Sequence, residues 1–422
     1  MVKEKVRLTD HELSVRDLRL SLKKYKRILV IGGGKASGKM AEAIEEILNN
    51  RIEAGIINVP HGTAKNFDTC IIQINEAAHP IPDQRGLSGV EKMRELLKRL
   101  DEKTLVILLL SGGGSALLPY PQEGITLEEQ QKVTSLLLRC GARINEINTV
   151  RKHISQTKGG RLAALAYPAT ILCLIISDVV GDQVSSIASG PTAPNHSTFL
   201  DAVKILKYYD VWKKAPASVV RYLNNGVAGK NPECPKPGDV CFSKTHNIVL
   251  GSNRIALESA EQMAKKLGYN TLILSSYIEG EARHVGTVFS ALARELIAAN
   301  QPVIKPGVLL AGGETTVNVT GSGKGGRNQE MVLSAVTRLS GLKEVVFAAI
   351  DTDGVDGSTD AAGAVVDGFT YKRALPHGMD PITYLKNNNS HPFFKEINDL
   401  IYTGPTDTNV NDVIILVTLD ER

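Results

Sequence analysis

The sequence predicts a two-domain α/β protein. Three observations carry the prediction. Strand-like apolar runs alternate with helical patterns along nearly the whole chain, several of these runs end in glycine-rich loops, and a proline-rich stretch interrupts the alternation near its middle. In a parallel α/β sheet the loops at the carboxyl ends of the strands line one crevice, and ligands bind there. The chain has 422 residues, enough for two or three domains with full cores.

Residues 27–31 read as the first strand and 39–49 as a helix, followed by strands at 54–59 and 69–74. Val90, Met93, Leu96, Leu97 and Leu100 fall at helical spacing, which predicts a long amphipathic helix over 83–100. The apolar run 104–110 suits a strand covered on both faces. Thr126 with Glu129 three residues on forms a capping box for a helix to about 140. A helix is expected over 147–166 and a central strand over 169–177. Three prolines and two glycines in 229–239 read as a linker. Beyond it, strands are expected at 247–251, 271–275, 308–311, 345–350 and 413–417, with helices at 253–267, 281–299 and 329–339. Domains of 1–235 and 236–422 follow, with the active site expected in the cleft between them.

Bulk properties narrow the function. Hydrophobic content is 42%, charged content 22% and net charge +4, as in an ordinary globular protein. No basic run interleaves with aromatic residues, so nucleic-acid binding is not expected. No apolar run reaches membrane-spanning length. The N-terminus, Met1 to Lys5, is charged, and a cytoplasmic location is expected. The expected partners are small molecules, and the sequence leaves a homo-oligomer open. The five cysteines are scattered, without metal-ligand spacing; Cys140 and Cys173 read as small core residues.

The loops carry the chemistry. Gly321 to Asn328 packs four glycines, Lys324 and Arg327 into eight positions before a helix. Such a loop can close backbone N–H groups around an anion, and Arg327 can hold a phosphate or carboxylate bidentately. Gly32, Gly33, Gly34 and Lys35 follow the first strand; Ser111, Gly112, Gly113, Gly114 and Ser115 follow the strand at 104–110. Gly33 to Lys39 matches a phosphate-binding P-loop except that Met40 stands where a magnesium-binding Ser or Thr is needed. Gly32, Gly34 and Ser37 nearly fit the dinucleotide fingerprint, but Asn58 and His61 stand where the ribose-binding acid should be.

Asp178 sits at a strand's carboxyl end, where it could bind a metal, take a proton or cap a turn. Ser189 and Gly190 continue its loop with further backbone donors. Asp351 and Asp353 lie in an acidic turn that lacks the closing Glu of a calcium loop, Ala362 standing there instead. Arg151 and Lys158 are expected to share a helix face, with Arg151 the better anion ligand and Lys158 a solvated cation. His153 has no nearby carboxylate in sequence and reads as a core or surface histidine.

Taken together, Gly32 to Ala36, Ser111 to Ala116, Asn148 to Lys152, Ser177 to Asp182, Ser189 to Thr192, Gly312 to Thr316, Gly325 to Glu330 and Asp351 to Gly357 resemble the glycerate kinases that form 2-phosphoglycerate. The C-terminal half of that family carries the MOFRL domain. The resemblance implies a Rossmann-like, mostly parallel first domain and a smaller α/β second domain. It implies ATP and a divalent cation such as Mg2+, with D-glycerate phosphorylated at its 2-hydroxyl, and it implies that Lys35 and Arg327 are essential. Asp178, Glu314, Asp351 and Asp353 are the candidate metal ligands, with Asp178 also a candidate catalytic group. Gly33, Gly34, Ser111 to Ser115, Arg151, Ser189, Gly190, Gly325 and Gly326 are the candidate substrate and phosphate ligands. Relatives have also been labelled hydroxypyruvate reductases, the runner-up activity.

Overall fold

The computed structural model describes residues 2–420. The chain divides into two compact units, residues up to 177 with 182–250, and 178–181 with 251 onward. The stretch 236–250, expected in the second domain, belongs to the first unit.

The first unit opens with a small antiparallel meander, β1 Val6–Thr9, β2 Glu12–Val15 and β3 Leu18–Ser21. Its main sheet contains β4 Arg27–Gly33, β5 Ala54–Pro60, β6 Ile72–Ala77, β7 Thr104–Leu110, β8 Thr170–Ile176 and β9 Thr245–Gly251. Their spatial order is β6-β5-β4-β7-β8-β9, and β6 through β8 run parallel. This is the doubly wound order, which reverses between β4 and β7. Every residue of β7 and β8 is buried, as apolar central strands covered on both faces require.

The helices follow from their patterns. Met40, Ala41, Ile44 and Leu48 form the buried stripe of the Ser37–Leu48 helix. The Thr126–Glu129 capping box starts the Leu127–Arg139 helix as its spacing predicts. The expected helix over 147–166 is instead two, Ile144–His153 and Arg161–Ala166. Gly159 and Gly160 adopt φ of 59° and 82° between them, left-handed values that no α-helix continues through. Cys140, expected in the core, is exposed.

The residues 229–239 do not behave as a free linker. The Phe199 N–H donates to Glu233 Oε1 at 2.8 Å, and His153 Nε2 lies 3.2 Å from Glu233 Oε2. Lys236 Nζ donates to Ser197 O at 2.6 Å, and the Asn195 N–H to Pro235 O at 2.9 Å. His153 is fully buried, and its carboxylate partner comes from 80 residues away, beyond reach of local sequence reading.

The second unit is built on a sheet of β10 Asn270–Ile278, β11 Gly307–Gly313, β12 Val345–Asp351, β13 Gly363–Asp367, β14 Leu400–Ile401 and β15 Asp412–Thr418. The order is β10-β11-β15-β12-β13-β14; β10 and β11 are parallel and every other pair is antiparallel. The C-terminal strand thus enters the middle of the sheet. The Ala282–Ala299 and Arg327–Leu339 helices pack with the sheet around Phe289, Met331, Leu333, Phe347 and Leu416. Leu257 of the Asn253–Lys266 helix packs in a separate cluster with Val308, Leu310 and Val413. No helix among the described residues is long and apolar enough to cross a membrane.

Glu233 yields a stability prediction. Burial raises its pKa, but the hydrogen bonds from His153 and the Phe199 N–H outweigh this and lower it to about 2. A depressed carboxylate pKa stabilises the fold above the unfolded value and loses that contribution as pH falls through the folded value. Glu233→Gln should therefore lower the Tm at pH 7, and the gap should narrow as pH falls from the ordinary carboxylate range toward about 2. Because the side chain is partly exposed, about 1 kcal/mol is expected, or roughly 2–4 °C. Thermal unfolding of both proteins across that range checks it.

Candidate active site

At the switch point of the first sheet, two glycine turns close on each other. The Lys35 N–H donates to Gly112 O at 2.8 Å, and the Ala36 N–H donates to Ser111 Oγ at 2.9 Å. The Gly34 N–H donates to Asn58 O at 3.2 Å. A Cβ on Gly34 would overlap Ser111 Oγ, and one on Gly33 would press on Leu118. These glycines therefore serve close packing of backbone on backbone, and Gly34 does not offer its N–H to a ligand. The N–H groups of Gly112 and Gly113, by contrast, have no partner among the described residues. Gly113 has φ of 82°, and a Cβ there would meet the His79 ring at 2.9 Å. Burial and then the Lys35 charge lower the His79 pKa, which favours the neutral ring.

Ser189 and Gly190 stand behind this turn rather than as free donors. Their N–H groups bind Ser186 O and Ile187 O. Ala188 and Ser189 hold φ of 49° and 62°, strained for residues with a Cβ by about 1–3 kcal/mol each. The strain places Ser189 Oγ 2.8 Å from Ser115 Oγ and 3.0 Å from Asn148 Oδ1. The N–H groups of Gly159 and Gly160 donate to Ser189 O and Gly190 O, fixing the segment that carries Lys158.

Lys158 is not a surface cation and shares no helix with Arg151. It is 3% exposed, and its Nζ donates to Ser115 O at 2.9 Å and Leu118 O at 3.2 Å. Burial, aided by Arg151, lowers its pKa to about 7. Arg151 is half-buried and its side chain has no hydrogen-bond or ion-pair partner among the described residues. Burial lowers its pKa as well. Both residues line a cavity of about 640 Å³ together with His79, Gly113 and Ser115. Lys35 is exposed and likewise unpaired among the described residues. Among the described residues Lys35 and Arg151 are thus cations without counter-ions, an arrangement suited to an anion.

The second unit has the opposite character. Arg327 Nε donates to Asp412 Oδ2 at 2.8 Å, and its Nη2 donates to Asp351 Oδ2 at 2.7 Å. Its Nη1 lies 3.7 Å from Glu314 Oε1, beyond hydrogen-bond reach. Burial lowers the Arg327 pKa, but the Asp412 hydrogen bond and the surrounding carboxylate charges raise it further, so the guanidinium stays charged. Burial raises the Asp351 pKa, against the pull of Arg327. Asp412 lies outside every motif singled out in the sequence. Only its place at the start of the last strand could have signalled it.

The first part of the loop before this helix is held by protein acceptors. The Thr320 and Gly321 N–H groups donate to Asn388 Oδ1, Ser322 N–H to Asn387 Oδ1, and Lys324 N–H to Asn389 Oδ1. At the helix N-terminus the Asn328 and Gln329 N–H groups donate to Asp356 at 3.1 and 2.9 Å, while the N–H groups of Gly325, Gly326 and Arg327 have no partner among the described residues. A Cβ on Gly325 would overlap Ser390 Oγ, and one on Gly326 would overlap the Asp356 carboxylate. Expected as phosphate ligands, these glycines are also required by the Ser390 hydroxyl and the Asp356 carboxylate that occupy their Cβ positions.

The candidate metal ligands do not assemble. Among the described residues no group of three or more His, Cys, Asp or Glu could hold a metal ion. Asp351 Oδ1 accepts from the Asp353 N–H, and Asp353 accepts from Val355 N–H and Asn409 Nδ2. This loop forms a turn with its carboxylates satisfied. Asp178 clusters with the second unit in the short stretch 178–181.

Comparison with known proteins agrees with this architecture. A family described as "Domain of unknown function (DUF4147)" matches residues 1–224, and the MOFRL family matches 307–412. A glycerate 2-kinase of Pyrococcus horikoshii is 43% identical over 99% of this chain and 92% of its own. The chain belongs to the glycerate 2-kinase family. The crystal structure of a glycerate kinase of Thermotoga maritima superposes with a TM-score of 0.87 at 42% identity, covering 93% of this chain and 92% of that one. A relative in Agrobacterium vitis, 41% identical over 92% of this chain and 98% of its own, is provisionally named a hydroxypyruvate reductase.

Two substitutions test the second unit. Asp412→Ala removes a buried partner of Arg327 and should destabilise the protein by about 3–5 kcal/mol in denaturant unfolding. Gly326→Ala should cost about 1–3 kcal/mol by crowding Asp356. Unchanged stability in the latter would return Gly326 to a ligand-binding role.

Proposed function

We propose that the protein is an ATP-dependent kinase that transfers the γ-phosphoryl group to the 2-hydroxyl of D-glycerate, giving 2-phosphoglycerate and ADP. The observation that carries this reading is the pair of cations, Lys35 and Arg151, that have no counter-ion among the described residues of the first unit. Phosphoryl transfer demands positioning and positive charge around the moving group, with little covalent chemistry from the protein. Lys35 supplies a mobile point charge beside a fixed glycine turn, and the Gly112 and Gly113 N–H groups supply neutral donors. In the second unit, two buried carboxylates fix the orientation of the Arg327 guanidinium, with Nη1 3.7 Å from Glu314 Oε1.

A divalent cation is expected to accompany the nucleotide. Magnesium commonly binds through substrate phosphates and only one or two carboxylates. Among the described residues no three His, Cys, Asp or Glu side chains form a cage for it.

The reductase reading rests on the Agrobacterium vitis relative's name. Asn58 speaks against it, because it stands where a dinucleotide ribose needs a carboxylate. It is buried, and its Nδ2 donates to Gly86 O and Leu117 O.

The test is direct. Purified protein with D-glycerate and ATP should form 2-phosphoglycerate, and with hydroxypyruvate and NADH it should oxidise no NADH. Lys35→Ala should keep the wild-type Tm, since the side chain is exposed and unpaired, and lose at least tenfold in kcat/KM. Near-normal turnover in that variant removes Lys35 from the mechanism.

A further inference from the structure

The cavity beside Lys158 is too large and too apolar for a three-carbon acid alone. Its volume of about 640 Å³ lies within the ~300–1,000 Å³ typical of sites for drug-sized ligands. Arg151, Lys158 and Lys132 outnumber Glu128, the one acidic residue among its described lining residues. Pro80, Ile81, Ala116 and Leu138 also line it. Ile81 and Leu138 are 66% and 58% exposed, an unusual state for large aliphatic side chains that share one cavity. A ligand that meets this wall has an anionic part and a flat apolar part.

Resting on the kinase reading, we propose that this cavity is the nucleotide subsite. The base lies on Ile81 and Leu138, and the phosphates reach Arg151 and the free N–H groups of Gly112 and Gly113. Lys158 acts as a positioning residue for the Ser115–Leu118 carbonyls that it holds. The acid substrate binds elsewhere.

The test compares the full-length protein with Arg151→Met and Leu138→Glu, the latter at an exposed position where folding is not at risk. ADP binding is measured by calorimetry, and the KM values for ATP and D-glycerate by steady-state kinetics. Arg151→Met should weaken ADP binding and raise the ATP KM at least tenfold. Leu138→Glu should do so several-fold, and the D-glycerate KM should stay within twofold in both. Unchanged ADP affinity and ATP KM in both variants overturn the proposal. A rise confined to the D-glycerate KM also overturns it and gives the cavity to the acid. If the wild-type protein phosphorylates no glycerate yet binds ADP in an Arg151-dependent way, the kinase reading fails and the nucleotide subsite stands.

Discussion

The first unit depends on how closely two backbone turns approach at the ends of β4 and β7. Gly32 and Gly34 leave no space for a side chain against Leu109 and Ser111. The approach lets the Lys35 and Ala36 N–H groups bind the opposite turn and fixes the base of Lys35. From Ser115 the same constraint passes through Ser189 to Asn148, and through the Ser189 and Gly190 carbonyls to the segment bearing Lys158. Any Cβ at Gly34 would push this whole set apart, because the neighbour is backbone and a hydroxyl already in use. The strained Ala188 and Ser189 persist for the same reason: the surrounding bonds over-determine them.

The fold was largely legible from the sequence because its signals are local. Apolar runs of strand length, the Thr126 capping box and the helical stripe at Val90 and Met93 each report on a few neighbouring residues. The failures arise where a distant residue decides. The 229–239 stretch has linker composition, yet Glu233 ties it to His153 and Phe199. The strand at 245–251 looked like the start of a new domain and is the edge of the first sheet. The helix over 147–166 breaks at two glycines that accept left-handed geometry. The second sheet's antiparallel pairing follows from β15 entering between β11 and β12, a choice no periodicity encodes.

The site was legible as a list of residues and much less so as a set of roles. A glycine run before a helix has two physical uses: opening N–H groups to an anion, or permitting close contact with another part of the chain. Sequence alone does not separate them. In Gly321 to Gly326 the second use is visible, because Asn387, Asn388 and Asn389 accept N–H bonds from the start of the loop and Ser390 and Asp356 leave no room for a Cβ at its end, while the Gly325 and Gly326 N–H groups have no partner among the described residues. The Gly112 and Gly113 N–H groups have no partner among the described residues, and the proposed function gives them the first use. His79 and Asp412 escaped notice because neither lies in a glycine motif; each gains its meaning from what folds beside it.

The two units make different electrostatic contributions. Among the described residues Lys35 and Arg151 are cations without counter-ions, so an arriving anion gains their charge with no ion pair to break. Arg327 is a cation between Asp351 and Asp412, so its net field at a distance is weak or negative. Two carboxylates hold Nε and Nη2, which removes rotational freedom from the guanidinium and fixes the direction of Nη1, 3.7 Å from Glu314 Oε1. A lysine at this position would keep the charge and lose the fork, since one ammonium cannot satisfy both carboxylates with parallel bonds and still present a fixed third donor. The buried carboxylates thus fix the direction of the guanidinium rather than leave it a net positive charge.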